Sequence, residues 1–373
     1  MKILLVNKFY SPTIGGVESV VRQHAQFLGD EGYQITVLCC SDSRSMRTRL
    51  EERDGVKVVR CASFGTYFSM PISPVFIVWL WILSFKSKLV FFHLPFPIAT
   101  LSALAFPFRR PFIVFWHSDI VQQKRLKPIV QFFQHCLCRR AESILTTSPQ
   151  LVEFSDVLSS HKEKLKIIPL SVPDFAPQVS EKKPSTLPSM PEKYGLFLGR
   201  LCYYKGVDVI LEALDLLVNR GVSLPVVLVG DGPLKGEIAQ ALEKKRLNHV
   251  VFIDRHVDED EKNWLLMNAS YLLFPSTEPS EAFGIIQLEA MSYGVPVINT
   301  DLPTGVPWVS EHENTGLTVP VRDPDSLAKA MERLAGDETE RKVMGRHALQ
   351  RVSDMFSDST VSGLLVDQVS RFR

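Results

Sequence analysis

Short β-branched or aromatic segments alternate with helix-length stretches twice along this chain, and a proline-rich interval separates the two runs. The first run places strands at 3–7, 35–39, 56–60, 89–92, 112–116, 144–147 and 166–170. Such segments are apolar on both faces, so they suit a parallel sheet covered by helices on each side. Pro173, Pro177, Pro184, Pro188 and Pro191 then mark an interdomain linker over 171–191. Beyond it the alternation restarts, with strands at 194–198, 224–229, 250–253, 271–274, 295–299 and 316–319. The expected architecture is α/β: an N-terminal Rossmann-like domain over 1–170 and a C-terminal one over 192–356. The segment 357–373 reads as a final helix. Ligands of doubly wound sheets bind at strand C-termini, so two such sheets facing across a cleft would share one site. A chain of 373 residues suits two domains of ordinary size.

Charge is divided unevenly. Residues 1–175 hold 21 Lys/Arg against 13 Asp/Glu, net +8, and the remainder holds 21 against 28, net −7, giving the total of +1. A basic first half favours an anionic surface or acceptor. The six cysteines show no C-x-x-C pair or zinc spacing, which fits reduced thiols in a cytoplasmic protein. No secretory signal is visible, and the longest apolar run, 75–83, is far below the roughly 20 residues that span a bilayer.

The segment 274–300, FPSTEPSEAFGIIQLEAMSYGVPVINT, reads as strand end, polar loop, a helix over about 283–293, a Gly294 stop and a strand. Glu281 precedes the helix and Glu289 lies within it. Backbone amides from Phe283, Gly284, Ile285 and Ile286 would seat a phosphate at the helix start. Eight residues of mostly helical path separate the two carboxylates by about 12 Å. That is long for a glycosidase pair, whose carboxyl groups lie roughly 5 to 9.5 Å apart. It suits one extended ligand, with a sugar near Glu281 and a ribose near Glu289.

E-A-F-G-I-I-Q-L-E resembles the E-x7-E motif of retaining GT-B glycosyltransferases, specifically family 4. The resemblance covers nearly the whole chain and implies that the final helix, within 357–373, crosses back to the first domain. It implies a sugar nucleotide donor, a glycan acceptor and no metal or other cofactor. Around this motif the remaining candidates fall into place. Gly15 and Gly16, after the first strand, resemble the family's glycine-rich loop beside the donor, although a glycine pair there also reads as a tight turn. His117, with Asp119 close behind it, resembles the family's histidine beside the transferred sugar. His93, at the preceding strand end, reads as shaping the acceptor pocket or the core. Arg200 and Lys205 resemble the family's diphosphate clamp, in which fixed cations neutralise a leaving group without metal. Gly230-Asp231-Gly232-Pro233 resembles a structural or donor-proximal family turn, with Arg255 bordering the nucleobase. Asp258 to Glu261 contains a D-x-D, but acidic residues at a helix start complement its dipole, and no metal is assigned.

Pro303-Thr304-Gly305-Val306-Pro307-Trp308 departs from the commoner family loop and resembles a subset of bacterial surface-polysaccharide mannosyltransferases. The resulting expectation is transfer of a hexose, mannose from GDP-mannose, to a lipid-linked glycan of O-antigen, lipopolysaccharide or capsule. Alternatives are a UDP-sugar-dependent hexosyltransferase of the same family or a GT-B sugar-nucleotide epimerase. Nucleic acid is not an expected partner. Aromatic residues of 71–115, flanked by Lys86, Lys88, Arg109, Arg110, Lys124, Arg125 and Lys127, suit peripheral contact with anionic inner-membrane lipid.

Overall fold

The computed structural model describes residues 1–13, 15–67, 70–105, 110–119, 127–180 and 182–373, and for Ala105 and Lys127 the backbone alone. Arg109, Lys124 and Arg125 lie outside the described residues. The chain divides into two compact units, Met1–Leu170 with Val361–Arg373, and Ser171–Thr360. The proline-rich interval therefore belongs to the second unit.

The first unit is built on β1 (Lys2–Val6), β2 (Gln34–Cys40), β3 (Arg49–Arg53), β4 (Val56–Cys61), the small pair β5 (Thr66–Tyr67) and β6 (Met70–Pro71), β7 (Leu89–Leu94), β8 (Phe112–Trp116), β9 (Ser143–Thr146) and β10 (Leu165–Ile167). Eight of these form one sheet in the order β10-β9-β8-β7-β1-β2-β4-β3. All neighbours run parallel except β3, which pairs antiparallel with β4 at the edge. Side chains alternate between faces along each strand. Leu4 and Val6 accordingly join Phe76, Leu80, Ala99, Ala103, Leu137 and Cys138 from helices on one face. Ile3 and Leu5 join Val21, Ala25 and Leu28 of helix Gly16–Asp30 on the other. That second core is completed by Val361, Leu365 and Val369 from the C-terminal helix Asp358–Ser370.

The second unit carries β11 (Gly195–Leu198), β12 (Val226–Val229), β13 (Val250–Ile253), β14 (Tyr271–Phe274), β15 (Val297–Thr300) and β16 (Gly316–Val319). They pair in parallel in the order β13-β12-β11-β14-β15-β16. Counted from its own first strand this is 3-2-1-4-5-6, the Rossmann order, whose direction of winding reverses between β11 and β14. One face packs on Val207, Ile210, Leu214 and Leu217 of helix Val207–Asn219 and on Leu327, Met331 and Leu334 of helix Pro324–Gly336. The latter starts sharply: Asp323 accepts the Ser326 amide at 3.0 Å and Pro324 occupies the first turn. Among the described residues no helix is long and apolar enough to cross a membrane.

Candidate functional site

The connections that leave the C-terminal ends of β11 and β14 wind in opposite directions, and such a switch point is where doubly wound sheets bind ligands. The first loop carries Gly199, Arg200, Lys205 and Gly206; the second runs from Pro275 to Glu281. Gly206 joins them closely. Its backbone has φ of 70°, and a Cβ there would lie 1.9 Å from the Pro275 carbonyl oxygen. The Thr277 amide also donates to the Tyr204 carbonyl at 2.8 Å. This stitching brings Lys205 Nζ to 2.5 Å from Glu281 Oε2, with side chains only 15% and 12% exposed. The ammonium also sits 5.2 Å from the Phe274 ring centroid and 5.6 Å from that of Tyr204. Burial first, and Glu281 second, push the Tyr204 hydroxyl well above its ordinary range, so it stays protonated. Arg200, in contrast, is exposed.

Glu281 is held by its own backbone. Its carbonyl accepts from Thr304 Oγ1 at 2.9 Å, and the Ala282 carbonyl accepts the Gly305 amide at 2.8 Å. The Thr-Gly-Val-Pro-Trp loop therefore clamps the segment that presents the carboxylate. Asn299, buried in β15, donates to Gln287 Oε1, to the Val306 carbonyl and to the Ser310 carbonyl, and accepts from Thr318 Oγ1. Gln287 in turn donates to the Phe283 carbonyl at 2.8 Å. These buried polar groups satisfy one another and fix the loop and the helix together. Thr304, Gln287 and Asn299 were not legible as site residues in the sequence; only their place in and after the E-x7-E segment hinted at them.

The helix itself is shorter than the sequence pattern implies, Ile285–Met291, because Gly284 precedes it in a left-handed conformation with φ of 81°. A Cβ at Gly284 would lie 2.4 Å from the Phe274 ring, so packing as well as backbone conformation demands glycine. The Phe283 side chain is buried and makes edge contacts with Trp308 and Phe356 at centroid distances of 6.2 and 6.1 Å. Only its backbone is left for a ligand. Arg351 lies over Trp308 and Phe356 and donates to the Trp308 and Val309 carbonyls, closing this cluster from behind. Glu289, half a helix onward, accepts from Lys262 Nζ at 2.7 Å. Burial pulls the Lys262 ammonium down, but Glu289 and Glu259 overcome it and hold the group above its ordinary value.

In the first unit β1 and β7 are the neighbours at which winding reverses. Gly15 caps helix Gly16–Asp30 in extended conformation, and nothing lies within 4 Å of where a Gly16 Cβ would sit. His117 follows β8 and its amide donates to the Leu94 carbonyl at 3.0 Å. Its Nε2 is 3.0 Å from Nδ1 of His93 at the end of β7. His24, from the helix after the glycine pair, adds a third buried imidazole, 5.5 Å from His93 between centroids. Burial pushes His24 and His117 down to about 3 and His93 well below its usual value, so all three are neutral. Asp119 has a structural task, accepting from Trp116 Nε1 at 2.8 Å and Ser155 Oγ at 2.9 Å.

Residues 178–351 match the family described as glycosyl transferases group 1, and residues 15–171 match the glycosyl transferase 4-like domain. Over 375 aligned residues the chain is 31% identical to D-rhamnosyltransferase WbpZ of Pseudomonas aeruginosa, spanning 96% of this chain and 92% of that protein. The chain belongs to the family 4 glycosyltransferases. This glycosyltransferase is also 29% identical to O-antigen chain mannosyltransferase C of Escherichia coli, over 96% of its own length and 95% of the relative. Its fold matches sucrose-phosphate synthase from Thermosynechococcus elongatus, with a TM-score of 0.79 at 19% identity over 99% of this chain and 98% of the other. It also matches Anabaena HepE in complex with UDP, with a TM-score of 0.74 at 18% identity over the whole of both chains. The architecture is thus GT-B, and the enzyme is a hexosyltransferase.

One expectation for this glycosyltransferase changes with the geometry, and two structural readings gain their partners. Arg255 does not present a free guanidinium toward a nucleobase: Nη1 and Nη2 grip Glu261 at 2.8 and 2.6 Å, and Nη2 also donates to the Thr186 carbonyl at 3.1 Å. Burial of Glu261 made this pairing necessary, and a lone Arg in a loop gave no sign of it. The acidic run 258–261 is likewise structural. Asp258 accepts the Glu261 amide while Glu261 takes the Asp258 amide, a reciprocal cap. The Gly-Asp-Gly-Pro turn braces the β11 loop, since Leu201 donates to the Asp231 carbonyl at 2.9 Å and accepts from Leu234 at 3.2 Å.

Proposed function

We propose that this hexosyltransferase is a retaining enzyme of bacterial surface-polysaccharide synthesis. It moves mannose from GDP-mannose to a lipid-linked glycan acceptor and needs no metal. The observation that carries the reading is the Lys205–Glu281 pair at the β11/β14 switch point, with Arg200 on the same loop and Glu289 eight residues on. Glu281 accepts hydrogen bonds from hydroxyls of the donor hexose and orients it, Arg200 and Lys205 face the diphosphate, and Glu289 accepts from the ribose diol. Gly284, Ile285 and Ile286 offer backbone amides to a phosphate, and Gly15 and Gly16 border the donor. His117 meets the reacting sugar.

Transfer proceeds on one face, as the resemblance of the E-x7-E segment to retaining enzymes implies. The C1–O bond to phosphate breaks and its electron pair stays on the phosphate oxygen. The acceptor oxygen bonds to C1 from the same side as its proton passes to that phosphate oxygen. The cations oppose the charge that develops on the leaving group. The manno configuration is supported by the two relatives named for D-rhamnose and mannose, since D-rhamnose is 6-deoxy-D-mannose. A UDP-sugar-dependent hexosyltransferase is the second reading, favoured by the fold shared with UDP-bound HepE. Melting scans with GDP-mannose, UDP-glucose and their free diphosphates separate them, because only a ligand of the native state raises Tm. Stabilisation by GDP-mannose alone supports the first reading, and stabilisation by UDP-glucose alone replaces it.

Contact with anionic inner-membrane lipid is part of the same proposal. Helix Pro74–Lys86 leaves Val78, Trp81 and Phe85 exposed on one side, and Lys86 ends it. Exposed Arg110 donates to the Phe85 carbonyl at 3.2 Å, which places a second cation beside the apolar face. An apolar face rimmed by cations fits an acidic bilayer surface. Flotation with phosphatidylglycerol vesicles at low salt, lost in Trp81→Ser/Phe85→Ser, is expected; equal flotation of both proteins removes the assignment.

A further inference from the structure

We propose that His93 is a positioning residue for His117, and that the hydrogen bond between their rings fixes the His117 tautomer with its proton on Nδ1, as a donor to the substrate. This rests on the assignment of His117 to the reacting sugar. The sequence left His93 between the acceptor pocket and the core. The distinction comes from the sheet: β7 and β8 pair so that His93 stands opposite Phe115, one residue short of Trp116 and two short of His117. The two imidazoles then lie nearly parallel, 16° apart, with Nδ1 of His93 3.0 Å from Nε2 of His117.

Counting protons decides the direction of that bond. Burial keeps both rings neutral, so each carries one N–H. A single proton lies between them, and there are two ways to supply it. If His117 gave it, the proton of His93 would sit on Nε2, which is buried and has no hydrogen-bond partner. The rings around it belong to Phe91, Phe115 and His24. If His93 gives it from Nδ1, only a lone pair is left on that buried Nε2. Buried N–H groups without an acceptor are rarer than under-used acceptors, so the second arrangement is favoured. His117 then accepts at Nε2, and its one remaining nitrogen, Nδ1, is an N–H. His24 does not supply the missing partner, since its own Nδ1 is also buried without one. A donor at this place would serve a hydroxyl oxygen of the sugar, and its orientation would be set before the substrate arrives.

The deciding measurement uses the wild-type chain labelled with 15N-histidine and free of substrate. Two-bond 1H–15N correlation separates protonated from bare ring nitrogens, and the His117 signals are those lost in His117→Gln. A protonated Nδ1 and a bare Nε2 are expected; the reverse assignment overturns the proposal. Because no sugar nucleotide is involved, this outcome is independent of whether the chain transfers mannose, which turnover alone decides. Variants add the kinetic consequence. In His93→Asn the amide nitrogen takes the place of Nδ1 as a donor, and kcat is expected within about threefold of wild type. His93→Leu offers no hydrogen bond, and His93→Asp reverses it by drawing the proton to His117 Nε2. Both are expected to lower kcat about 30-fold with KM for the donor little changed, less than the roughly 100-fold cost of removing one oriented donor outright. Wild-type kcat in His93→Leu, or equal losses in His93→Asn and His93→Leu, overturns the positioning role. Where a variant melts below the assay temperature, the wild-type spectrum decides.

Discussion

Lys205 meets two demands with one ammonium. It neutralises a mostly buried Glu281 at 2.5 Å, and in the proposed reaction it faces the leaving diphosphate. Lys205→Ala removes both contributions and leaves the carboxylate poorly solvated. A loss of about 100-fold in kcat, near 3 kcal/mol of barrier, is expected together with a smaller fall in Tm. Steady-state kinetics beside a melting curve check it, and unchanged kcat would exclude Lys205 from the diphosphate site. Glu261 shows the other use of a buried carboxylate. The Arg255 guanidinium holds it down to about 2, helped by Thr186 and the Asp258 amide and opposed by burial. A carboxyl depressed in the folded state stabilises above its ordinary value of 4.5 and loses that contribution as pH falls toward 2. Because Arg255 is 42% exposed, solvent screens the pair, and about 2 kcal/mol is a fair size for it. Urea melts of wild type and Glu261→Gln are expected to differ by that amount at pH 7, and the difference to shrink below pH 4.5 and vanish only as pH reaches about 2.

Elements show how much of this arrangement is written locally. The parallel strands announce themselves through runs such as KILLV and LVFFHL, which are apolar on both faces. β3 does not: its residues RLEER are polar and largely exposed, and pairing with β4 makes it a strand. The available signal was Asp54-Gly55, both with positive φ, a turn pair that closes two-residue hairpins. The E-x7-E segment likewise marked the site, but the clamp on it comes from Thr304 and Gly305, which only the tertiary fold brings alongside. Arg255 is the converse, a residue whose sequence position suggested a ligand and whose buried partner claims it. Glycine substitutions separate the two kinds of information. Gly206→Ala combines a strained φ with a clash against Pro275, and roughly 3 kcal/mol of destabilisation is expected. Gly16→Ala meets open space, so Tm is expected to stay within about 2 °C. If the donor borders that backbone, KM for the sugar nucleotide rises without loss of stability. A Tm for Gly206→Ala equal to wild type would show that this close approach is not what joins the β11 and β14 loops.

For the whole molecule, the division of stability follows the chain's return rather than its order. The last 13 residues, Val361–Arg373, belong to the first unit although the second unit precedes them in sequence. Val361, Leu365 and Val369 are buried on the same face of the first sheet as Ile3, Leu5, Val37 and Phe91. Truncating a buried Leu or Val to Ala costs about 2 to 4 kcal/mol by lost transfer energy and an unfilled cavity. Leu365→Ala with Val369→Ala should therefore remove about 5 kcal/mol, a large share of an ordinary domain's stability. The loss is expected in the first unit alone, since the second unit's cores contain none of these side chains. Native-state hydrogen exchange resolves this sheet by sheet. Amides of β1, β2 and β7 should exchange faster in the double variant, while those of β11, β12 and β14 keep wild-type protection. Equal acceleration in both sheets would mean that the units unfold as one, and the C-terminal helix would then stabilise the entire enzyme rather than the unit whose core it completes.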